Sequence, residues 1–266
     1  MERIESIDDP RIAAYRKLKE RTLRGERLFV TEGRLLTLRL LESRYGVESV
    51  LAAERFAEEL ASAVPDGVPL YVAPEKLLWD VVGFKFHRGV LACGRRGQPL
   101  TLDALLAEHA ATDVLTLIVC PQITDRENLG SIVRIASAFG ADGVLLGKAC
   151  CDPFSRRVLR VSMGSVFLVP IVQSPDLLAD LGSLKQRWGV ELWATVLDGA
   201  AEPLGQARRP RRLAVLFGHE THGLGEPWLA LCARRVTIPM QLGTDSLNLA
   251  VAAGIFVYEL TRRQNR

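Results

Sequence analysis

The chain lacks the features that mark membrane-spanning, secreted and disordered proteins. Its longest uncharged stretches, Val161–Pro175 and Ser246–Tyr258, are shorter than the roughly 20 apolar residues that a spanning helix requires. No apolar run follows the charged start Met1–Arg3, so we expect no secretory signal. A composition of 48% apolar and 24% charged residues excludes disordered and collagen-like chains. We therefore expect a soluble, cytoplasmic globular protein.

Cysteine is scarce, and metal-binding patterns are missing. The 5 cysteines include no Cys-x-x-Cys pair, so we expect reduced thiols, most of them buried. His219 and His222 have the spacing of a helical pair, but glycines flank them and no third ligand follows nearby. The sequence therefore predicts no metal site.

A strong charge of either sign is also missing, because 34 basic and 31 acidic residues leave a net charge of +3. This balance predicts no particular partner. Basic residues are nevertheless clustered locally, at 11–27, 156–160 and 208–212. Each cluster can bind phosphate groups or form an ordinary solvated surface, and the sequence leaves both interpretations open.

Two α/β segments are predicted on either side of the polar, breaker-rich stretch Gly94–Pro99. In the first segment, a helix capped by Thr31 is followed by short alternating strands and helices. In the second, Val114–Cys120 has the pattern of a strand buried on both faces, and Asn128–Phe139 that of an amphipathic helix. Further strands are predicted at Gly143–Leu146, Val166–Val169, Leu192–Val196, Leu213–Phe217 and Val236–Ile238, and a long final helix at about Leu247–Thr261. This alternation predicts a mostly parallel sheet with helices on both faces.

Glycine-bearing polar loops follow three of the predicted strands. They lie at Asn128–Gly130, Phe217–Leu224 and Ile238–Asn248, whereas the G-x-G-x-x-G and P-loop nucleotide motifs are absent. Ligands of open α/β sheets bind beyond the carboxyl ends of the strands, so we expect the three loops to form one site.

In this order, the three loops closely resemble the motifs of the SpoU/TrmH family of RNA ribose 2′-O-methyltransferases, within the SPOUT class. Asn128–Arg134 resembles the first motif, Gly218–Leu224 the second, and Ile238–Gly254 the third. Arg160–Ser165 is similar to the family's R-x-S-x-G-[AS] segment. One departure is Asp125–Asn128, Asp-Arg-Glu-Asn, where the family often has Asp-Pro-x-Asn; a proline there would only shape the loop.

The resemblance implies a SPOUT-type α/β fold: a parallel sheet with a C-terminal deep trefoil knot, preceded by a smaller α/β domain. Phe29–Arg34 and His87–Val90 resemble the ribosomal-protein-like substrate-binding domain found before many such catalytic domains. The implied organisation is an RNA-binding domain at 1–97, a linker and leading helix at 98–110, and the catalytic domain at 111–266. The family also implies a homodimer.

The same resemblance implies S-adenosylmethionine as cofactor and assigns roles to individual residues. Arg134 would orient the ribose hydroxyl and a neighbouring phosphate, because a guanidinium with a pKa above about 12 is a poor base; the phosphate would assist proton removal. Of the other implied catalytic residues, Asn128 would form hydrogen bonds near the same centre, and Glu220 would fix the second-motif loop or Asn128. Ser246 and Asn248 would complete the polar lining of the site. The implied cofactor contacts are Thr195, Gly218, Ile238, Met240 and Leu247. RNA contacts are predicted at Arg16, Lys19, Arg24 and Arg34.

Each of these residues also has a purely structural interpretation. Arg134 can form a surface salt bridge, Asn128 can be a helix N-cap, and Glu220 can cap the next helix or balance an arginine. Ser246 and Asn248 can simply begin the last helix.

The expected function is methylation of a ribose 2′-hydroxyl in rRNA or tRNA, with rRNA slightly favoured. The alternatives are a non-catalytic RNA-binding protein and a methyltransferase for a small molecule or a protein. An enzyme that methylates one rRNA nucleotide against an antibiotic is a narrower form of the first hypothesis.

Overall fold

The computed structural model describes residues 1–18, 27–241 and 246–262, and the chain forms two compact units. The first unit comprises Met1–Gln98 and Asp152–Leu168, and the second comprises Pro99–Cys151 and Val169–Arg266. The first unit is therefore built from two stretches that are distant in sequence. The predicted RNA-binding residues Lys19 and Arg24 lie outside the described residues.

The first unit contains a five-stranded mixed sheet in the order β1-β4-β3-β5-β2. Its strands are β1 (Glu2–Arg3), β2 (Leu28–Glu32), β3 (Val47–Ala53), β4 (Leu70–Ala73) and β5 (Val90–Arg95). Its helices are α1 (Arg34–Leu41), α2 (Ala57–Ala63), α3 (Glu75–Val82) and, from the second stretch, α6 (Arg156–Val161). Strand β5 runs antiparallel to both β2 and β3, whereas β4 is parallel to β1 and β3.

Aromatic packing joins Asp152–Leu168 to the rest of the first unit. The ring of Phe29, on β2, lies 5.0 Å from that of Phe154 and 5.8 Å from that of Phe167, measured between centroids. Gly94, on β5, makes room for Phe29, because a Cβ at this position would lie 2.4 Å from the Phe29 ring. These buried rings explain why the segment 152–168, far along the chain, belongs to the core of the first unit.

The second unit contains a seven-stranded, entirely parallel sheet in the order β10-β12-β9-β11-β6-β7-β8. Its strands are β6 (Leu115–Cys120), β7 (Gly143–Leu146), β8 (Ile171–Gln173), β9 (Glu191–Thr195), β10 (Glu202–Pro203), β11 (Arg212–Leu216) and β12 (Arg234–Thr237). Its helices are α4 (Leu102–Glu108), α5 (Arg126–Phe139), α7 (Leu177–Trp188), α8 (Glu226–Leu229) and α9 (Leu249–Arg262). The predicted α/β class with a parallel sheet is confirmed.

Burial explains the uniform hydrophobicity of the central strand. All six residues of β6 are buried, so both of its faces are covered. On one face, Leu117 and Val119 belong to a cluster with Leu105 of α4 and Leu181 of α7. The chain therefore places its most hydrophobic strand in the middle of the sheet, between β11 and β7.

Two sequence predictions are wrong. Val166–Val169 is not a strand: Ser165–Phe167 forms a 3-10 turn, and the strand starts at Ile171. Val166, Phe167 and Val169 are buried, as the apolar run predicts, whereas Leu168 is exposed; Phe167 packs on Phe29. Thr31 does not cap α1, since it is a buried residue of β2 and Gly33 precedes the helix.

Candidate active site

The three motif loops lie at one edge of the parallel sheet. The first motif lies in α5, which follows β6, so the prediction that Asn128–Gly130 is a loop is wrong. The second follows β11 beside β6, and the third follows β12. Because all strands of this sheet are parallel, their carboxyl ends meet at the same edge. The structure does not describe 242–245, so the third loop is seen only at its two ends.

A chain of side-chain hydrogen bonds connects all three loops. Asn248 Nδ2 donates to Asn128 Oδ1 at 3.0 Å, and Asn128 Nδ2 donates to Glu220 Oε1 at 3.3 Å. The same Glu220 oxygen accepts the backbone N–H of Asp125 at 3.1 Å. One predicted residue from each motif thus joins a single polar network, with Asn128 buried at its centre.

The N-caps of α5 and α9 test whether Asn128 and Asn248 serve only to cap a helix. Asp125 caps α5 by accepting the N–H of Glu127 at 2.7 Å, so the N-cap interpretation of Asn128 is wrong. Asn248 does cap α9, since its Oδ1 accepts the N–H groups of Ala250 and Val251. Its Nδ2 remains available for Asn128, so one amide serves both the helix and the network.

Glu220 has one oxygen engaged and one without a hydrogen-bond partner. Its Oε2 is buried and accepts no hydrogen bond from the described residues; the nearest cationic candidate, His219 Nε2, is 3.8 Å away. That distance is too long for a hydrogen bond. Gly225 rather than Glu220 precedes α8, so the helix-cap interpretation of Glu220 is wrong. A buried, unpaired carboxylate oxygen is an acceptor for a donor on a bound ligand.

Close backbone packing shapes the second loop. His219 and Gly223 exchange two backbone hydrogen bonds, each 2.9 Å, and Gly223 has a φ of +65°. A Cβ at Gly218 would lie 2.2 Å from the carbonyl carbon of Gly223, so only glycine fits at 218. The backbone N–H of Thr221 donates to His219 Nδ1 at 3.0 Å. In the neutral ring, Nδ1 is therefore the acceptor and Nε2 carries the proton.

Arg134 lies on the exposed surface of α5, about two turns after Asn128. It has no ion pair or hydrogen bond with any residue in the described ranges, so the surface-salt-bridge interpretation has no support there. Its donors are therefore uncommitted and face solvent, as a contact to a substrate anion requires.

The remaining predicted residues of the second unit differ in how far they are buried. Thr195 Oγ1 donates to the carbonyl of Leu216 at 2.9 Å and ties the ends of β9 and β11 together. Gly218 is buried, and Ser246 is exposed. The side chains of Ile238, Met240 and Leu247 are half-buried. An apolar ligand surface can therefore still reach these three side chains.

In the first unit, two predicted RNA contacts already have protein partners. Arg16 Nη2 donates to the Asp9 carbonyl at 2.7 Å, and Arg34 forms an ion pair with Glu59. Sequence reasoning missed the hydrogen bond from the Asp125 backbone N–H to Glu220. The only available signal was the helix-start pattern of Asp125 and Glu127, which places Asp125 at the beginning of α5.

Cysteine chemistry does not contribute to this site. Cys120 ends β6, and burial raises the pKa of its thiol well above the usual range. Cys150 Sγ donates to the Cys120 carbonyl at 3.0 Å. A protonated, buried thiol is a poor nucleophile. Among the described residues there is no cluster of three potential metal ligands, and no described helix is long and apolar enough to cross a membrane.

Comparison with known proteins identifies the class. Residues 116–258 match the model of the SpoU rRNA Methylase family. An uncharacterised tRNA/rRNA methyltransferase of Mycobacterium bovis is 37% identical over 96% of this chain and 90% of its own. The 23S rRNA (guanosine-2′-O-)-methyltransferase RlmB of Acinetobacter baylyi is 30% identical over 87% of this chain and 90% of its own.

A solved structure agrees with these sequence matches. The AdoMet-bound rRNA methyltransferase from Sinorhizobium meliloti superimposes with a TM-score of 0.82 at 26% identity, covering 98% of both chains. The chain belongs to the SpoU rRNA methylase family, as its motifs predict.

Proposed function

We propose that this protein is an S-adenosylmethionine-dependent RNA methyltransferase that methylates a ribose 2′-hydroxyl of ribosomal RNA, with transfer RNA as the alternative substrate. The observation that carries the proposal is the hydrogen-bond chain from Asn248 through Asn128 to Glu220. It links residues of three separate motifs, which a protein that kept only the fold would not need. The names of the relatives, including RlmB, favour rRNA.

The residues at this edge of the sheet fit the cofactor. Ile238, Met240 and Leu247 are half-buried apolar side chains, suited to the faces of an adenine ring. We propose that the backbone at Gly218, Ile238 and Leu247 binds the adenosine end, with Thr195 and Met240 beside it. The buried, unpaired Glu220 Oε2 supplies an acceptor in the same loop as Gly218. When bound, S-adenosylmethionine would supply an electrophilic methyl group on a sulfonium sulfur, with a neutral thioether as the leaving group.

The chain's own residues then have to position the ribose and manage one proton. Arg134 is exposed and uncommitted, and we propose that its guanidinium fork holds the 2′-hydroxyl and a neighbouring phosphate of the RNA. Guanidinium does not act as the base, so the proton passes to the phosphate or to water. The hydrogen bond from Asn128 to Glu220 fixes the first motif to the second loop. Ser246 completes the polar surface around the ribose.

We also propose the finer features that the family implies for the fold and assembly. The C-terminal segment is expected to pass through a preceding loop in a deep trefoil knot. We propose that the domain at 1–97 binds RNA and that the domain at 111–266 catalyses transfer. The linker and leading helix at 98–110 connect them. The proposed RNA contacts of this domain remain Arg16, Lys19, Arg24 and Arg34. The reaction is assigned to the cytoplasm, where bacterial ribosomal RNA is made.

An apolar surface on α9 supports a homodimer. Val251, Ile255 and Tyr258 have helical spacing and are exposed, and Tyr258 stacks edge-on against the exposed Phe139 of α5 at 5.5 Å. A continuous apolar face of this kind is typical of an interface between identical subunits.

Two measurements on the purified protein test the proposed function. Calorimetry with S-adenosylmethionine should show binding, and tritium from its methyl group should be transferred to rRNA. Mapping of 2′-O-methylated nucleotides in cells with and without the gene then identifies the nucleotide. Binding of RNA without any transfer would favour a non-catalytic protein, and transfer only to a protein or small molecule would overturn the RNA assignment.

A further inference from the structure

The first unit contains three arginines around one buried carboxylate. We name Glu32, Arg88, Arg156 and Arg160 the Glu32 cluster. Glu32 ends β2 and is only 4% exposed, and its Oε1 accepts hydrogen bonds from Arg156. Arg160 Nη1 lies 3.6 Å from Glu32 Oε2, and Arg88 Nη1 donates to the Glu32 backbone carbonyl at 3.5 Å. Glu32 thus holds two guanidinium groups through its carboxylate and a third through its backbone carbonyl.

The cluster joins residues that are far apart in sequence. Arg156 and Arg160 lie one turn apart on α6, within Asp152–Leu168, whereas Glu32 and Arg88 come from the N-terminal stretch. Like charges four residues apart destabilise a helix, so this spacing needs a compensating anion. Glu32 supplies part of that compensation through Arg156, which it holds most closely.

The charges of the cluster do not balance. Three arginines against Glu32 leave an excess of two positive charges within the cluster, and the exposed Arg157 lies beside it. Burial lowers the pKa of Arg160; Glu32 opposes this effect, whereas Arg157, Arg88 and Arg156 lower the pKa further by repulsion. Elsewhere in the same unit, by contrast, Arg95 pairs singly with Glu48.

Donor groups in the cluster also remain free for a ligand. The Arg160 side chain makes no hydrogen bond to any described residue. The Arg88 side chain makes only the long bond to the Glu32 carbonyl. A guanidinium fork matches two oxygens of a phosphate group. Arg156 differs from both, because its donors are directed to Glu32 and to the Leu18 carbonyl.

We propose that the Glu32 cluster is a binding site for phosphate groups of the RNA backbone, contacted by Arg88 and Arg160 and held in place by Arg156 and Glu32. The proposal rests on the RNA-directed function proposed above. It assigns RNA binding jointly to the N-terminal stretch and to Asp152–Leu168. Removing 1–97 would therefore expose Phe154 and Phe167 and divide the site, so point variants are the appropriate test.

The test compares two double variants of the full-length protein that lose the same charge. Arg88→Gln/Arg160→Gln alters the cluster, and Arg44→Gln/Arg95→Gln removes two exposed arginines elsewhere on the unit. Filter binding of protein-free rRNA is measured at several salt concentrations. The cluster variant should bind at least about tenfold more weakly. Its slope of log K against log salt should become shallower by about one to two. The control should keep the wild-type slope, and both should keep wild-type affinity for S-adenosylmethionine.

Each other outcome has a defined meaning. A wild-type slope for the cluster variant, or equal weakening of both variants, would overturn the site. Competition by polyglutamate as strong as by polyuridylate would also overturn it, because the cluster would then recognise negative charge of any kind. Weak RNA binding by the cluster variant, together with a wild-type protein that transfers no methyl group, would instead overturn the proposed function and leave the site standing.

Discussion

Replacing Arg134 with alanine is expected to abolish most turnover without destabilising the protein. The structure separates the two effects, because Arg134 is exposed and has no polar partner among the described residues. Its removal should change the free energy of unfolding by no more than about 0.5 kcal/mol. Losing a preorganised charged contact to the reacting group typically costs about 10²–10³ in rate, which is about 3–4 kcal/mol.

The assay is single-turnover methylation of rRNA, with cofactor titration and thermal unfolding on the same preparation. Arg187→Ala serves as the matched control, because it removes an exposed arginine of the same unit whose polar contacts, to Asp103 and to Ser183 Oγ, are both 3.4 Å long. Arg134→Lys keeps the charge but loses the fork, and should recover only part of the rate. Wild-type transfer by Arg134→Ala would refute the role, as would a loss of cofactor affinity that matches the loss of rate.

Three further variants test other parts of the site and the assembly. Gly218→Ala should weaken cofactor binding at least about tenfold, because its Cβ would meet backbone at 2.2 Å, whereas Gly225→Ala has room and should bind normally in calorimetry. Asn128→Asp places a carboxylate 3.3 Å from that of Glu220, a repulsion of about 5 kcal/mol before the loop relaxes. The variant should therefore melt at a lower temperature than the wild type at neutral pH, and an unchanged melting temperature would contradict this. Light scattering should give twice 29.3 kDa for the wild type and 29.3 kDa for Ile255→Glu, and a monomeric wild type would exclude the dimer.

Local patterns in the sequence predict most strands and helices of the second unit, but not β8 or β10. The unbroken apolar run at Val114–Cys120 predicts a central strand, and β6 occupies Leu115–Cys120 in the middle of the sheet. The spacing of apolar residues before Gly140 predicts α5, which ends at Phe139 with Gly140 in the left-handed conformation. These predictions succeed because the hydrophobic period and the helix stop are properties of neighbouring residues. The order of the motif loops likewise identified the family.

Only the tertiary structure decided which residues share a core and a network. The family motifs place Asn128, Glu220 and Asn248 in one expected site, but only the structure shows which atoms pair. Asn248 donates to Asn128 and Asn128 donates to Glu220, across 120 and 92 residues of chain. The apolar residues of Asp152–Leu168 predict burial but not the core they enter, and they pack on Phe29 of the first unit. Burial depends on local hydrophobicity, whereas partner choice depends on how strands and rings fit in space, so the second cannot be read from a sequence pattern.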